Sequence, residues 1–364
     1  MKIIHKIIIY IKSKIRSVWI SHYVKSQGDK KNRSLQNSSS VELSKSEIKN
    51  IREFWGDYFT KSSLICYKFY KSFGVFDTRL APNHFYAEAE RLLNPFRYSL
   101  FLQHKCLLKD YIPEGNRPET IIQNIDNHYL DKDDNPISRA EAVEIAERQV
   151  PFFIKIAAGS GGGRGIQKVS SSDNIEDLFK DYNKDFILQK PLKEHATLSR
   201  FNPECINTIR VLSLNINDNC TILSSFIRMG GLGSIVDNLH SSTGTGVLVG
   251  VRKDGSLHDF GVDKHYNKLY KSPMGEDFAG LSIEHYDKVK DFIVHWHQKS
   301  FPFANLIGWD IILDEDANPI VIEINLDSAD IAAHQIFNGP VFGDRINEVM
   351  DYMKNNPQKL TIRF

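Results

Sequence analysis

The sequence contains few cysteines, and their placement excludes two kinds of small, cross-linked fold. Only four are present, at Cys66, Cys106, Cys205 and Cys220, and none of them forms a CxxC pair. This spacing argues against a zinc ribbon and against a dense disulfide scaffold. The simplest expectation is a protein that works in a reducing, cytosolic setting.

A long apolar run and an excess of charge of one sign are also missing. No uninterrupted apolar stretch reaches about 18 residues, so no segment is predicted to span a bilayer. Lysine and arginine number 46 against 45 aspartate and glutamate residues. Because the strong positive field of nucleic-acid-binding proteins is absent, we expect no nucleic-acid partner. With 364 residues, 41% of them apolar, the chain can form a large core divided among two or three units.

Residues 1–25 predict a basic amphipathic helix. Apolar side chains recur at helical spacing from Ile3 to Trp19, five lysines and arginines lie between Lys2 and Arg16, and no acidic residue interrupts the pattern. Two alternatives follow: residues 1–20 make a peripheral contact with anionic lipid, or the helix docks on the protein's own core. A secretory signal is not predicted, because the apolar run is short and no small-residue cleavage site follows it.

The rest of the chain divides into four segments. Residues 26–46 are polar and lack apolar periodicity, which predicts a flexible linker. Residues 47–112 predict a helical N-terminal domain. Short strands and two capped helices follow over residues 113–196. Residues 197–364 are rich in strands that we expect to pair as hairpins.

A glycine-rich loop joins two apolar runs in FFIKIAAGSGGGRGIQKVS, residues 152–170. It matches neither the GxxxxGK[ST] nor the GxGxxG phosphate-binding pattern. Both of those loops lead from a strand into a helix, whereas here a second strand follows. The order predicts a hairpin flap whose bare backbone could fold over a polyphosphate. The alternative is a loose surface turn with no ligand.

Three oxygen-bearing side chains fall in two apolar strands near the C-terminus. Asp310 lies in LIGWDIIL, and Glu323 and Asn325 occupy alternate positions of VIEIN, which aims both at one side of a sheet. Such groups are costly to bury without a partner, and oxygen ligands suit Mg²⁺. A magnesium site that serves a polyphosphate is therefore one interpretation. The alternative is that the acids pair with nearby lysines or arginines as structural charges.

At this point the chain resembles the ATP-grasp superfamily, and within it the subfamily associated with sugar transfer in polysaccharide synthesis. The matching motifs run in the family's order over roughly residues 100–345: LQHKCLL, the flap, FILQKPL, NTIRVLSL, SIVDNLHSSTGTGVLVGV, GWDIIL and VIEINLD. The resemblance implies an α+β fold in which two α+β subdomains clasp ATP, preceded by the helical N-terminal domain. Most members of the superfamily begin with a Rossmann-like domain instead.

The resemblance also implies roles for individual residues. Residues expected to bind ATP are Lys105, Lys155, Ser160, Gly161, Gly162, Gly163 and Gly165 at the phosphates, Gln189, Lys190 and Leu192 at the adenine, and Glu194 at the ribose. Asp310, Glu323 and Asn325 match the family's metal positions. Arg210 is the expected catalytic guanidinium, which holds the transferring phosphoryl or acyl phosphate oxygens.

Residues 235–246 are the best candidates for substrate selection, because polar side chains lie there beside another glycine-rich turn. The expected substrate-binding residues are Asn207, Asp237, Asn238 and Ser241, and His240 is a candidate base for the incoming amine, because an unperturbed imidazole titrates near neutral pH.

Similarity to ATP-grasp enzymes implies an ATP- and Mg²⁺-dependent ligase. A substrate carboxylate becomes an acyl phosphate, with ADP released, and an amine then displaces phosphate. The polysaccharide association suggests a uronic-acid sugar joined to an amino acid or amino alcohol, in a cytoplasmic protein that works at the inner face of the membrane. Two alternatives remain: a phosphotransferase that acts on a hydroxyl, and a non-catalytic nucleotide-binding protein.

Overall fold

The computed structural model describes residues 20–35, 41–94, 96–160, 163–182, 185–235, 237, 245–327 and 330–359. The amphipathic pattern of residues 1–19 lies outside these ranges. Lipid contact and core packing therefore both stay predictions for that segment. Within the described ranges, no helix combines the length and the apolar character that crossing a bilayer requires.

The N-terminal part is helical, as the sequence predicts. Its elements are α1 (residues 20–34), α2 (Lys45–Trp55), α3 (Ser63–Ser72), α4 (Asn83–Leu93), α5 (Phe96–Leu102) and 3-10 helices at Gly56–Tyr58 and Lys105–Asp110. Helix α2 begins with a capping box, in which Ser44 accepts from the backbone of Glu47 and the Glu47 carboxylate accepts in return. This reciprocal cap explains why the helix starts where the polar stretch ends.

The predicted linker over residues 26–46 is wrong for residues 26–34, which belong to helix α1. The buried stripe of this helix runs through Ile20, Val24, Gly28 and Asn32 at intervals of four. Two of these four buried residues are a glycine and an asparagine, so the sequence shows no apolar residue at every fourth position and predicts no helix here. Asn32 is fully buried because neighbouring side chains satisfy its amide, a condition that only the folded chain reveals.

A six-stranded antiparallel sheet follows, in the order β3-β2-β1-β6-β4-β5. Its strands are β1 (Thr120–Ile125), β2 (His128–Leu130), β3 (Pro136–Ile137), β4 (Phe152–Ile156), β5 (Ile166–Val169) and β6 (Phe186–Gln189). Helices α6 (Arg139–Arg148) and α7 (Ile175–Asp181) share a core with one face of this sheet. The strands and helices that the sequence predicts over residues 113–196 are confirmed.

The C-terminal part is built on a seven-stranded antiparallel sheet in the order β11-β10-β9-β8-β7-β12-β13. Its strands are β7 (Thr208–Ile216), β8 (Asn219–Met229), β9 (Val247–Val251), β10 (Leu257–Val262), β11 (Lys268–Leu269), β12 (Leu306–Leu313) and β13 (Pro319–Asn325). The helices are α8 (Ala196–Ser199), α9 (Tyr286–Ser300), α10 (Ile331–Asn338) and α11 (Ile346–Asn355), with 3-10 turns at Gly343–Arg345 and Pro357–Lys359. The predicted β7–β8 and β9–β10 hairpins are both present.

Two cores cover the two faces of the large sheet. Helix α9 packs on one face, where Ile209 and Val211 of β7 point. Helices α1 to α4, α10 and α11 pack on the other face, where Leu212 and Leu214 point. Because the N-terminal helices share this second core, they are part of the same folded unit as the sheet. Period-two alternation places Arg210 on the face of Leu212, next to the N-terminal helices.

Candidate functional site

A cavity of about 500 Å³ lies where the two sheets and the N-terminal helices meet. Nine of the residues that the sequence assigns to a site line it: Lys105, Lys155, Ser160, Gly163, Arg210, Asp237, Asp310, Glu323 and Asn325. They come from the 3-10 helix after α5, β4, the β4–β5 loop, β7, the segment before β9, β12 and β13. The fold therefore brings together side chains that are as much as 220 positions apart in the chain, from Lys105 to Asn325.

The carboxylates reach the cavity through strand register. Asp310 of β12 lies directly opposite Glu323 of β13 and, on its other side, opposite Arg210 of β7. The amide of Asn325 donates to Asp310 Oδ2 at 3.3 Å. Glu323 and Asn325 face the same cavity, which confirms the expectation from their alternate spacing.

A buried charge cluster surrounds Asp310, which is 3% exposed. Arg210 binds it as a fork, with Nε to Oδ1 at 2.5 Å and Nη2 to Oδ2 at 3.0 Å. Arg228 Nη1 adds a third contact at 3.2 Å. Burial alone would lower the pKa of Arg210, but the carboxylate of Asp310 leaves this pKa above its usual value. Among the described residues, the remaining nitrogen of Arg210, Nη1, is buried without a hydrogen-bond partner, and the nearest Asp330 oxygen lies at 3.6 Å. A donor in this condition fits an oxygen ligand in the cavity.

Glu323 forms the second pair of the site. Lys105 Nζ lies 2.8 Å from its Oε2. Burial alone would raise the pKa of Glu323, but the ammonium of Lys105 outweighs it and lowers the pKa to about 2. Glu323 is thus ionised at any working pH. Asp310, Glu323 and Asn325 present hard oxygen donors on rigid neighbouring strands, and this donor set fits Mg²⁺.

The acids are also paired with lysine and arginine, which was the alternative to a metal site. The pairing cations are themselves cavity residues, and Lys105 and Arg210 are two that the family resemblance assigns to ATP and catalysis. A structural ion pair and a ligand site therefore coincide in this cluster.

The glycine-rich loop is a hairpin, as predicted. Strand β4 pairs antiparallel with β5, with Lys155 opposite Ile166. Lys155 has no carboxylate within ion-pair distance among the described residues. Burial, followed by repulsion from Lys105, lowers the pKa of Lys155 to about 8. Ser160 lies 3.5 Å from Lys105 Nζ, so the loop closes on the same ammonium that binds Glu323. A half-buried cation without a partner is suited to receive an anion.

Several expected ATP contacts do not line this cavity. Gln189 is buried at the end of β6, and Lys190 is exposed and pairs with Glu119 at 2.6 Å. Leu192 packs against the core on the α9 side of the large sheet, and Gly165 faces Ile156 within the hairpin. Glu194 accepts hydrogen bonds from the backbone and the side chain of Asn207 at 2.6 and 2.9 Å.

Glu194 and Asn207 are hydrogen-bonded to each other, and neither lines the cavity. Burial raises the pKa of Glu194 to about 8, against the effect of the hydrogen bonds from Asn207. Asn207 is fully buried and also donates to the carbonyl of Asn202. The structure thus brings Asn207 to Glu194, and Asn207 does not line the cavity.

Five assigned residues lie outside the described ranges: Gly161, Gly162, Asn238, His240 and Ser241. Of the predicted selectivity segment near residue 240, Asp237 is described. It accepts a short hydrogen bond from Thr208 and lies 3.5 Å from Arg228. Asp237 is thus part of the charge cluster, through its contact with Arg228.

Sequence reasoning missed several cavity residues. Arg228 is the most important, because it contacts both Asp310 and Asp237. An arginine in the apolar run TILSSFIRM was an available signal, since a charge in a buried strand needs a partner. Thr208 lies in the motif NTIRVLSL, where it was not singled out. Other missed residues come from segments with no distinctive pattern: Lys31, Ser34, Asn83, Lys264, Tyr266 and Asp330.

A family model for sugar-transfer associated ATP-grasp proteins matches residues 84–351. The chain belongs to this family. The matched stretch contains both sheets, the flap and the charge cluster. Membership confirms the predicted family and the α+β fold with its helical N-terminal region. No curated protein matches the chain.

Solved structures of ATP-grasp proteins resemble the chain at low identity. D-alanyl-alanine synthetase A from Vibrio cholerae is 13% identical with a TM-score of 0.41, over 70% of this chain and 65% of that one. L-amino acid ligase from Bacillus licheniformis is 11% identical with a TM-score of 0.39, over 70% and 48%. The biotin carboxylase domain of Hydrogenobacter thermophilus 2-oxoglutarate carboxylase, solved with MgADP, is 16% identical with a TM-score of 0.37, over 65% and 44%. The chain spans less than two thirds of the length of each.

Proposed function

We propose that this protein is an ATP-dependent ligase that activates a carboxylate and joins it to an amine. The observation that carries the proposal is the convergence, under a glycine hairpin, of an oxygen donor set with Lys105, Lys155 and a buried arginine whose Nη1 has no hydrogen-bond partner within the described ranges. Family membership supports nucleotide binding at this place. The expected carboxylate belongs to a uronic-acid sugar, and the expected amine to an amino acid or amino alcohol.

In the first step a carboxylate oxygen attacks the γ-phosphorus of ATP. An oxygen–phosphorus bond forms, the bond to the β-phosphate oxygen breaks, and ADP leaves. Lys105 and Lys155 hold negative phosphate oxygens, and Arg210 Nη1 donates to the group in transfer. Mg²⁺, held by Asp310, Glu323 and Asn325, would supply charge neutralisation. Catalysis of this kind depends on positioning and electrostatics rather than on a protein nucleophile.

In the second step the amine nitrogen attacks the acyl carbon. The carbon–nitrogen bond forms, the carbon–oxygen bond to phosphate breaks, and the amine loses a proton to a base. The flap, lying over the phosphates, excludes the water that would otherwise hydrolyse the acyl phosphate.

Release of ADP and analysis of the product test this proposal. The full chain is supplied with ATP, Mg²⁺, UDP-linked uronic acids or uronic-acid oligosaccharides, and free amino acids or amino alcohols. We expect ADP release that requires both the acid and the amine, and a product whose mass equals their sum less one water. A product that carries an added phosphate would indicate a phosphotransferase instead, and no turnover with any uronic acid would count against the proposed acid.

Two matched variants connect the activity to the site. Glu323→Gln removes a metal-binding oxygen and the partner of Lys105, and we expect turnover to fall by about a hundredfold or more. Glu315→Gln is the control, because Glu315 is 61% exposed and pairs at the surface with Lys193. If Glu323→Gln leaves turnover unchanged, the site is not catalytic and a non-catalytic nucleotide-binding role becomes the better account.

A further inference from the structure

The cavity has a wall that neither the flap nor the metal-binding strands supply. Helix α1, the start of α4 and the turn between β10 and β11 contribute Lys31, Ser34, Asn83, Lys264 and Tyr266 to it. Helix α1 precedes the stretch that matches the family model, which begins at residue 84. Part of this wall therefore comes from residues that the family model does not cover.

Helix α1 is held in place by contacts that leave it little freedom. Asn32 donates to Ser62 Oγ at 2.9 Å and accepts from the backbone N–H of Asn83 at 3.1 Å. Gly28 packs so closely on α4 that a Cβ there would lie 2.2 Å from His84 Cα. Lys31 is the neighbour of Asn32 in the chain, so its backbone is fixed by this anchor. A lysine on a fixed backbone is positioned to serve as a binding group.

The charge of the cavity is unbalanced. Seven cationic and four acidic side chains line it. The buried or half-buried acids are already engaged, Asp310 by Arg210 and Glu323 by Lys105. Within the described ranges, neither Lys31 nor Lys264 has a carboxylate within 4.0 Å. In the part of the chain that the structure describes, these two ammonium groups therefore remain available to an anionic ligand.

The two lysines lie away from the expected phosphate-binding groups. Lys264 follows β10, whereas Glu323 lies on β13, and four strands separate β10 from β13 in the sheet. Lys264 thus approaches the cavity from the opposite edge of the sheet to Glu323 and its partner Lys105. Tyr266, two residues on, packs its ring against Phe69 at 5.0 Å between centroids, which fixes the turn on the N-terminal helices.

We propose that Lys31 and Lys264 form an anion subsite for the carboxylate substrate, in the same cavity as the expected ATP site. The substrate that this wall fits carries a second anionic group, a phosphate or a further carboxylate, in addition to the carboxylate that reacts. Arg210 lines the same cavity, and its Nη1 has no hydrogen-bond partner among the described residues, so the reacting carboxylate would meet Nη1 while the second anion engages the two ammonium groups. This inference rests on the proposed function only in naming the anion as part of the substrate.

Calorimetric titration of the full chain tests the subsite. The protein is first saturated with Mg²⁺ and a non-hydrolysable ATP analogue, so that added anions cannot occupy the triphosphate position. Inorganic phosphate, inorganic diphosphate and succinate are then titrated separately, and the comparison distinguishes phosphate from carboxylate recognition. We expect at least one of them to bind, and Lys31→Ala and Lys264→Ala each to weaken that binding about tenfold, as loss of a charge-assisted contact does.

Lys30→Ala is the matched control, because Lys30 is exposed on the same helix and does not line the cavity. It should bind the anion as the unmodified protein does, and Lys31→Arg should retain most of the affinity. Binding of the ATP analogue and the thermal midpoint should stay unchanged in both alanine variants. The subsite is refuted if the unmodified protein binds none of the three anions, or if Lys30→Ala weakens binding as much as Lys31→Ala.

This binding measurement does not depend on turnover. If anions bind through Lys31 and Lys264 but no carboxylate is ever activated, the ligase proposal is wrong and the subsite stands. If ADP is released with a singly charged uronic acid as efficiently as with a phosphorylated one, and the lysine variants do not raise KM, the ligase proposal stands and the subsite falls.

Discussion

The two sheets that enclose the cavity carry their charges in different ways. On the seven-stranded sheet, Arg210 and Asp310 are both about 3% exposed and each has the other as its partner. On the six-stranded sheet, Lys155 is half-buried and has no carboxylate within ion-pair distance among the described residues. On the large sheet the two charges are paired with each other before a ligand arrives, whereas the charge of Lys155 on the small sheet is not paired with a described carboxylate.

The packing of the two sheets follows the same division. Every residue of β7 and β12 is buried, because helices cover both faces of the large sheet. Strand β5, at the edge of the small sheet, has two exposed residues among its four, and the glycine loop precedes it. Elements with few buried contacts open at low free-energy cost. The comparison teaches that the large sheet holds its buried charges in fixed positions, whereas the edge of the small sheet beside the glycine loop can open at lower cost.

Removal of Asp310 tests the paired charges of the seven-stranded sheet and should have the largest effect. Asp310→Ala leaves Arg210 and Arg228 buried together without their common partner, so we expect the free energy of unfolding to fall by about 3–5 kcal/mol. Urea unfolding followed by circular dichroism measures this change. Asp344→Ala is the control, since Asp344 is 98% exposed and its surface pair with Arg79 should contribute about 1 kcal/mol or less. Similar losses in the two variants would show that the buried cluster is not an interdependent unit.

Removal of Lys155 tests the lysine of the six-stranded sheet that has no described carboxylate partner. Lys155→Met should weaken binding of a non-hydrolysable ATP analogue about tenfold to a hundredfold, because a hydrogen bond to a charged group contributes about 1.5–3 kcal/mol. Stability should not fall, since burial already disfavours the charged form of this lysine. Calorimetry and urea unfolding measure the two quantities. Lys168→Met, an exposed position in the same hairpin, is the control. A stability loss like that of Asp310→Ala would contradict the difference between the sheets.

The flap glycines allow a smaller test of how closely the hairpin is fitted. Gly159 and Gly165 both have positive φ, at 68° and 70°, and an alanine in that region costs about 1–2 kcal/mol. At Gly165 a Cβ would also meet Ile156 Cδ1 at 2.3 Å, whereas at Gly159 nothing lies within 4 Å. Gly165→Ala should therefore destabilise the protein by about 1 kcal/mol more than Gly159→Ala in urea unfolding. Equal losses would mean that Ile156 yields freely and that the hairpin is loosely packed.

The pKa of Lys155 leads to the smallest predicted effect. Near pH 8 about half of these lysines are neutral in the free protein, and negative phosphates favour the charged form. Binding of the ATP analogue should therefore take up a fraction of a proton near pH 8 and almost none below about pH 6.5. Calorimetry in two buffers of different ionisation enthalpy measures the uptake, and Lys155→Met should abolish it.

The same shift predicts a sign for stability. The folded pKa of Lys155, about 8, lies below an unfolded value of about 10.4, so the unfolded chain binds more protons between them. The contribution of Lys155 to stability is unfavourable below pH 8 and becomes less so as the pH rises toward about 10. A difference between the pH profiles of the unmodified protein and Lys155→Met with the opposite slope would contradict the assignment.

The amino-acid sequence by itself determined the features that depend on short-range patterns. The capping box at Ser138 and Glu141 predicted α6, and the strand that follows the glycine loop predicted a hairpin. The alternate positions of Glu323 and Asn325 placed both at one cavity, because side chains two residues apart in a strand share a face. The order of these motifs also carried the family resemblance.

Only the tertiary structure decided which distant groups meet. Arg228 joins the charge cluster because β8 lies beside β7, and helix α1 lines the cavity because Asn32 and Gly28 fit α4. Residues such as Lys31 and Lys264 carry no local pattern that marks them, and the position of each depends on contacts across many residues of chain. Pattern reasoning is local, whereas strand order and helix docking are set by the packing of the whole core, and this difference separates what could be predicted from what could not.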